Sequence, residues 1–335
     1  MRSPHALAAS AALIVLLAFP QLAQSAPLAV HRDVLFATAG AGTPLTADIW
    51  HRSKPAKGRP IAVLVHGGGW ATGDKRQWEE RRWSQRLAQR GYLVVAINYR
   101  LACGEKRGQS TNATEAAGAG APTPENAASI RAIRPSDSRL CGYGMDESVM
   151  DVRAGVRYAS KRGARWGGDP RRIVIYGISA GAHLALLAGS DVDRPKGVRA
   201  IVALSPPADL TWIGERPELA VNGSLTHAFG CAYAQCPDRW RAFSPRERVT
   251  TATFPPVYTF NSAADIITPA VPAKAFVREL KKHGEDAQFT TSSNPNETCH
   301  GPAPCAGIRL RGSRFGIFDD VQRWLVRRLQ VRRTR

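Results

Sequence analysis

The chain has 335 residues, 44% of them hydrophobic and 22% charged, enough for one large core or two modest ones, with a formal net charge of +19. Much of the excess sits in a C-terminal arginine series, at Arg309, Arg311, Arg314, Arg323, Arg327, Arg328, Arg332, Arg333 and Arg335. No interleaved aromatics accompany them to stack on bases, so a specific nucleic-acid site is set aside in favour of a solvated face with weak affinity for anionic surfaces.

Residues 1–25 read as a secretory signal, with Arg2 as the positive end, an apolar run from Ala11 to Phe19, and small residues at Ala23-Gln24-Ser25. That run is shorter than the roughly 20 apolar residues a membrane span needs, and no other segment reads as transmembrane. The mature chain is expected to begin at Ala26, and residues 26–335 to form the functional domain. Its six cysteines are an even count in an exported chain, which favours disulfides. They fall into three neighbourhoods, giving Cys103 with Cys141, Cys231 with Cys236, and Cys299 with Cys305. Zinc held by Cys299, His300 and Cys305 is the competing reading, but no second ligand pair stands at metal spacing.

The segment from His31 to Ala47 reads as an antiparallel edge. Strand-length apolar runs follow at Ile61–Val65, Tyr92–Ile97, Ile173–Tyr176, Ala200–Leu204, Val257–Phe260 and Ala287–Thr290. Between them lie helical patterns at Arg76–Gln89, Asp146–Arg162, Ala182–Gly189, Pro272–His283 and Phe315–Leu329. Alternation of this kind predicts an α/β fold, a mostly parallel central sheet with helices on both faces. Residues 104–139 are rich in Ala, Gly, Ser, Thr and Pro without apolar periodicity, and read as a long insertion, either a lid or a disordered surface loop. The sequons at Asn112, Asn222 and Asn296 matter only in a compartment that glycosylates.

Two motifs carry chemistry. The run Arg172–Tyr176 leads into Gly177-Ile178-Ser179-Ala180-Gly181 and then an apolar helix, so Ser179 sits on a sharp strand-to-helix turn whose glycines admit the neighbouring backbone. Upstream, Ile61–Val65 leads into His66-Gly67-Gly68-Gly69-Trp70, a glycine loop of the type that offers backbone N–H groups to an oxyanion.

With Asn98-Tyr99-Arg100-Leu101-Ala102 and Gly168-Asp169-Pro170-Arg171-Arg172-Ile173, these motifs resemble the α/β-hydrolase superfamily, in its HGGG esterase branch of hormone-sensitive-lipase-like and acetyl- or feruloyl-esterase-like families. The likeness runs from about residue 60 to the last helix. Departures are Asn98 for a common Asp, Ala182 for a common Gly, and Asn261-Ser262 for His-Gly. The resemblance implies the order Ser, acid, His. Asp265 follows strand Val257–Phe260 in a loop like the family's acid loop, with Asp209 and Asp191 as fallbacks. His300, followed by Gly301, lies beyond the next strand. His283 is the competitor, but it fits a helix C-cap before Gly284, whereas His183 reads as packing on its helix and His66 as holding its loop.

The resemblance further implies an oxyanion hole from Gly68, Gly69 and Ala180, no cofactor or metal, and a small-molecule or carbohydrate-linked carboxylic ester as substrate. Lipase, amidase or formamidase, and peptidase activities share the fold. A catalytically silent binding protein is the alternative from another class.

Overall fold

The computed structural model describes residues 27–103, 137–301, 305 and 308–329. The expected signal, residues 1–25, and nearly all of the expected 104–139 insertion lie outside the described residues. Eight strands form one sheet: β1 (Leu28–Ala39), β2 (Thr43–Arg52), β3 (Arg59–Val65), β4 (Leu93–Ile97), β5 (Gly168–Ile178), β6 (Val198–Leu204), β7 (Val257–Asn261) and β8 (Ala287–Thr291). Their order is β1-β2-β4-β3-β5-β6-β7-β8. The pairs β1–β2 and β2–β4 are antiparallel and all others are parallel, which places the hairpin at one edge and β8, paired only with β7, at the other.

Side chains alternate along each strand, so one strand feeds two cores. Ile61, Val63 and Val65 pack beneath α2 (Met145–Arg162) and α3 (Ala180–Gly189). Ala62 and Leu64 face the opposite side, under α1 (Trp78–Gln89) and α8 (Ile317–Arg328). Burial on both faces is why β3, β4 and β6 read as continuous apolar runs. Strand β5 extends back to Gly168, which pairs with Arg59. Helix α7 (Ala270–Lys282) packs Phe276 and Leu280 into the first core.

Three short helices after β6 were not predicted from sequence: α4 (Leu210–Gly214), α5 (Ala220–Phe229) and α6 (Pro237–Ala242). Each is too short for a clear 3.6-residue period, yet Leu210, Ile213, Val221, Leu225, Phe229 and Trp240 are buried in the first core. The structure pairs the cysteines as expected, Cys103–Cys141, Cys231–Cys236 and Cys299–Cys305. The Asn222 sequon is tied into the fold, since its buried side-chain amide donates to Ile213 O (2.8 Å).

The edge hairpin is fixed to the chain after the glycine loop by charge. Buried Lys75 donates to Asp33 and Thr46 (3.0 and 2.9 Å), and Arg76 Nε donates to buried Asp48 (2.7 Å). Asn98, at the position where Asp is common, accepts from Lys75 N (2.7 Å) and donates to Asp74 (2.9 Å). The amide serves here because it must both donate and accept.

Candidate active site

Ser179 lies between the end of β5 and the start of α3 with φ 53° and ψ −121°. A non-glycine residue holds such a conformation only where its surroundings over-determine it. Its N–H donates to Leu204 O on β6 (2.8 Å), and its carbonyl accepts from Ala182 N (2.9 Å) and His183 N (3.2 Å). Gly181 permits the turn, since a Cβ there would fall 2.3 Å from the carbonyl oxygens of Val65 and His66 at the end of β3. The close approach sets the glycine loop beside the serine: a Cβ on Gly67 would lie 3.3 Å from Ser179 Cβ.

In that loop the carbonyls are turned into the protein. Tyr99 Oη donates to His66 O (2.9 Å), His66 Nδ1–H donates to Gly67 O (2.8 Å), and Thr72 donates to Gly68 O through both N and Oγ1 (2.9 Å each). Gly68, at φ 122°, adopts a backbone conformation open to glycine. The His66 ring stacks on Tyr99 at 4.2 Å between centroids, and burial lowers its pKa from 6.5 to about 4. It is therefore a neutral strut. Gly67 N–H in turn donates to Glu80 Oε1 on α1 (3.2 Å).

Asp265 follows β7. Its Oδ1 accepts from the N–H groups of Ile267 (3.0 Å) and Thr268 (2.9 Å), and its buried carboxylate meets His300 Nδ1 at 2.9 Å (Oδ2) and 3.1 Å (Oδ1). The acceptor assigns the proton to His300 Nδ1, which leaves Nε2 as the ring's basic nitrogen. The His300 side chain is 19% exposed, enough to reach a substrate. The acid and base loops are joined by Ala264 N to Glu297 O (2.8 Å), Ala263 N to Ser292 Oγ (2.9 Å), and Ser262 Oγ to Cys299 O.

The structure thus brings Asp265 and His300 into contact and seats Ser179 against the loop of Gly68 and Gly69, with Ala180 opening α3. It does not make a hydrogen bond between Ser179 and His300. Such contacts are commonly long in free enzymes and tighten around substrate. Asp209 caps α4 and pairs with Arg246 (2.6 Å), and Asp191 pairs with Arg153 (3.0 Å). His283 caps α7 through Glu279 O (3.1 Å). His183 Nε2–H donates to Phe243 O (2.8 Å), and burial lowers its pKa from 6.5 to about 4. With Cys299 and Cys305 joined to each other, neither is a thiolate for zinc.

Three residues at the site escaped sequence reasoning. Ser205, at φ 53° beyond β6, accepts Gly301 N–H on its Oγ (3.0 Å). Thr268 Oγ1 lies 3.1 Å from Ser205 O, 3.2 Å from Asp265 Oδ2 and 3.2 Å from His300 Nδ1. Glu80 is the third. Ser205 and Glu80 stand in no motif, and Thr268 lies in the loop of Asp265 without a role of its own in that likeness. The one available signal was position, since Ser205 follows β6 as Ser179 follows β5.

A mostly parallel sheet carrying a strained serine turn and an acid–histidine pair at the C-terminal ends of its strands is an α/β-hydrolase fold. The chain belongs to the BD-FAE family, whose model matches residues 47–114 and 144–280, more than half of the chain. That match includes Ser179 and Asp265 and stops short of His300. The chain is 26% identical to Esterase LipQ of Mycobacterium tuberculosis over 249 residues, covering 71% of this chain and 50% of the relative. It is 23% identical to the isoprenylcysteine alpha-carbonyl methylesterase ICME of Arabidopsis thaliana, over 78% of this chain and 55% of that one. The chain therefore spans about half the length of the curated relatives it matches. Among solved structures, native Est2, an esterase from Thermogutta terrifontis, superposes with a TM-score of 0.60 at 19% identity, covering 93% of this chain and 96% of that one.

Proposed function

We propose that the chain is an exported serine carboxylesterase that hydrolyses small, aryl or sugar-linked esters through an acyl-enzyme. The observation that carries this reading is the placement of Ser179, strained at the end of β5, beside an inward-pinned glycine loop and two strands from a buried Asp265–His300 pair. The esterase names of the relatives support it. Export is supported by the signal-like residues 1–25 and by the three disulfides.

In the proposed reaction His300 Nε2 takes the Ser179 hydroxyl proton as Oγ attacks the ester carbonyl, and Asp265 holds the imidazolium that forms. The carbonyl oxygen gathers negative charge against the N–H groups of Gly68, Gly69 and Ala180, the loop's carbonyls being turned away. Collapse of the tetrahedral centre breaks the bond to the alcohol oxygen, which leaves with the proton from His300. Water, deprotonated by the same nitrogen, then releases the acid and restores Ser179.

The test is hydrolysis of an aryl-ester series from acetyl to palmitoyl, alongside an aryl amide and a peptide. A maximum at short acyl chains is expected. A maximum at palmitoyl would make it a lipase, faster amide or peptide cleavage would move it to those classes, and turnover of none would leave the silent binding protein.

A further inference from the structure

We propose that Glu80 is a positioning residue for the oxyanion loop, its carboxyl group clamping Gly67 so that the following N–H groups face the reacting oxygen. The inference rests on the esterase reading of the site.

Gly67 is gripped at both ends of its peptide units. Its carbonyl accepts from His66 Nδ1–H (2.8 Å) and its N–H donates to Glu80 Oε1 (3.2 Å). It also lies close to Ser179, a Cβ added to Gly67 falling 3.3 Å from Ser179 Cβ. Rotation about Gly67 would therefore swing the next two N–H groups relative to Ser179. Glu80 comes from a different element, in the first turn of α1, and is fully buried. Its Oε2 is buried too, without a hydrogen-bond partner among the described residues.

A carboxylate in that position would be an uncompensated buried charge. Burial, with Glu79 adding like charge, raises the Glu80 pKa well above 4.5, which favours the neutral acid. A neutral carboxyl accepts the Gly67 N–H bond without drawing counter-ions or water beneath the loop. A core position that only needed filling would be served by an apolar side chain, whereas here a buried carboxyl ties the loop backbone at Gly67 to the start of α1, where it also bonds its own N–H and the Gln77 side chain. The same helical turn reaches the base: a Cβ on Gly301 would come within 2.9 Å of Glu79 Oε1. One turn of α1 thus spaces the oxyanion loop from the loop of His300.

The experiment compares Glu80→Gln, Glu80→Met and Leu87→Ala, the last a buried core residue of the same helix. Short-chain aryl-ester kinetics and hydrogen exchange at the Gly67 amide are read for each at a temperature where circular dichroism shows it folded. Glu80→Gln keeps an uncharged acceptor and is expected to retain kcat within about threefold. Glu80→Met leaves Gly67 N–H buried without an acceptor, lowering kcat by roughly tenfold or more at nearly unchanged KM and speeding Gly67 exchange by a similar factor. Leu87→Ala should melt earlier while keeping kcat and slow Gly67 exchange. If Glu80→Met does not fold, the shorter Glu80→Asp takes its place.

Wild-type kcat in Glu80→Met, or an equal kcat loss in Leu87→Ala, would overturn the proposal. Should the wild type hydrolyse no ester, the esterase reading fails while Gly67 exchange still decides the clamp: unchanged exchange in Glu80→Met refutes it.

Discussion

At the scale of single residues, the site divides its atoms between those that react and those that hold. Ser179→Ala removes the oxygen proposed to react and leaves the pinned loop and the Asp265–His300 contact in place. The expected outcome is a folded protein whose esterase turnover falls by roughly a thousandfold or more, with fluorophosphonate labelling abolished. Label on any other residue in the wild type would move the nucleophile. His300→Ala is expected to cost a comparable factor and His283→Ala almost nothing, since His283 bonds within its own helix end. The reverse result would exchange their roles. Ser179, Asp265 and His300 could be proposed from the sequence because each stands in an ordered motif or loop likeness. Ser205, Thr268 and Glu80 were not, because what makes them matter is the partner the fold delivers, Gly301, Asp265 and Gly67 respectively.

Among the elements, β3, β4 and β6 were readable because double burial makes a strand apolar along nearly its whole length, whereas β5 begins at Gly168, ahead of the expected Ile173, because its first residues are polar. Helices α4 to α6 were not, because one or two turns show too few apolar residues to declare a period. The short loop closed by Cys299 and Cys305 brackets His300. By the chain-entropy estimate a bridge over so few residues contributes about 2 kcal/mol to stability. Displacing a catalytic base by about 1 Å, by contrast, costs on the order of a hundredfold in rate. The Cys299→Ser, Cys305→Ser double variant is therefore expected to lose turnover well before it loses its fold. Melting and kinetics measured together test this, and normal turnover with a collapsed melting temperature would refute it.

On the scale of the whole molecule, acid acts on the fold through imidazoles that the core keeps neutral. His66 and His183 have pKa values lowered by burial from 6.5 to about 4. Above pH 6.5 neither the folded nor the unfolded chain protonates them, and their contribution to stability is complete. As pH falls from 6.5 towards 4 the unfolded chain binds protons that the folded one refuses, so each imidazole removes up to about 1.4 kcal/mol per pH unit. Glu80 acts in the opposite sense, since its raised pKa gives stability that is present below 4.5 and lost as pH rises through its folded value. His183→Gln, whatever its stability at pH 7, is expected to show a shallower decline between pH 6.5 and 4 in urea titrations. A slope equal to that of the wild type would show that His183 is not the group responsible.

The strand that leads to His300 is an edge strand of the sheet. Ser179 is rooted in the middle of the sheet, between β3 and β6, whereas β8 pairs with β7 alone among the strands, its last residue also accepting from Arg311 N–H (2.9 Å), and its chain continues directly into the loop of His300. Edge strands open at lower free energy than central ones, so β8 and the loop of His300 are expected to open before the centre of the sheet does. On the proposed mechanism, activity would follow a local melting equilibrium nested inside the global one, and heat or mild urea should abolish ester hydrolysis while circular dichroism and the exchange protection of β3 and β5 stay intact. Recovery on cooling should be immediate, because only five residues and one loop have to re-dock. Coincident loss of activity and of core protection along one curve would show that β8 opens only with the rest of the sheet.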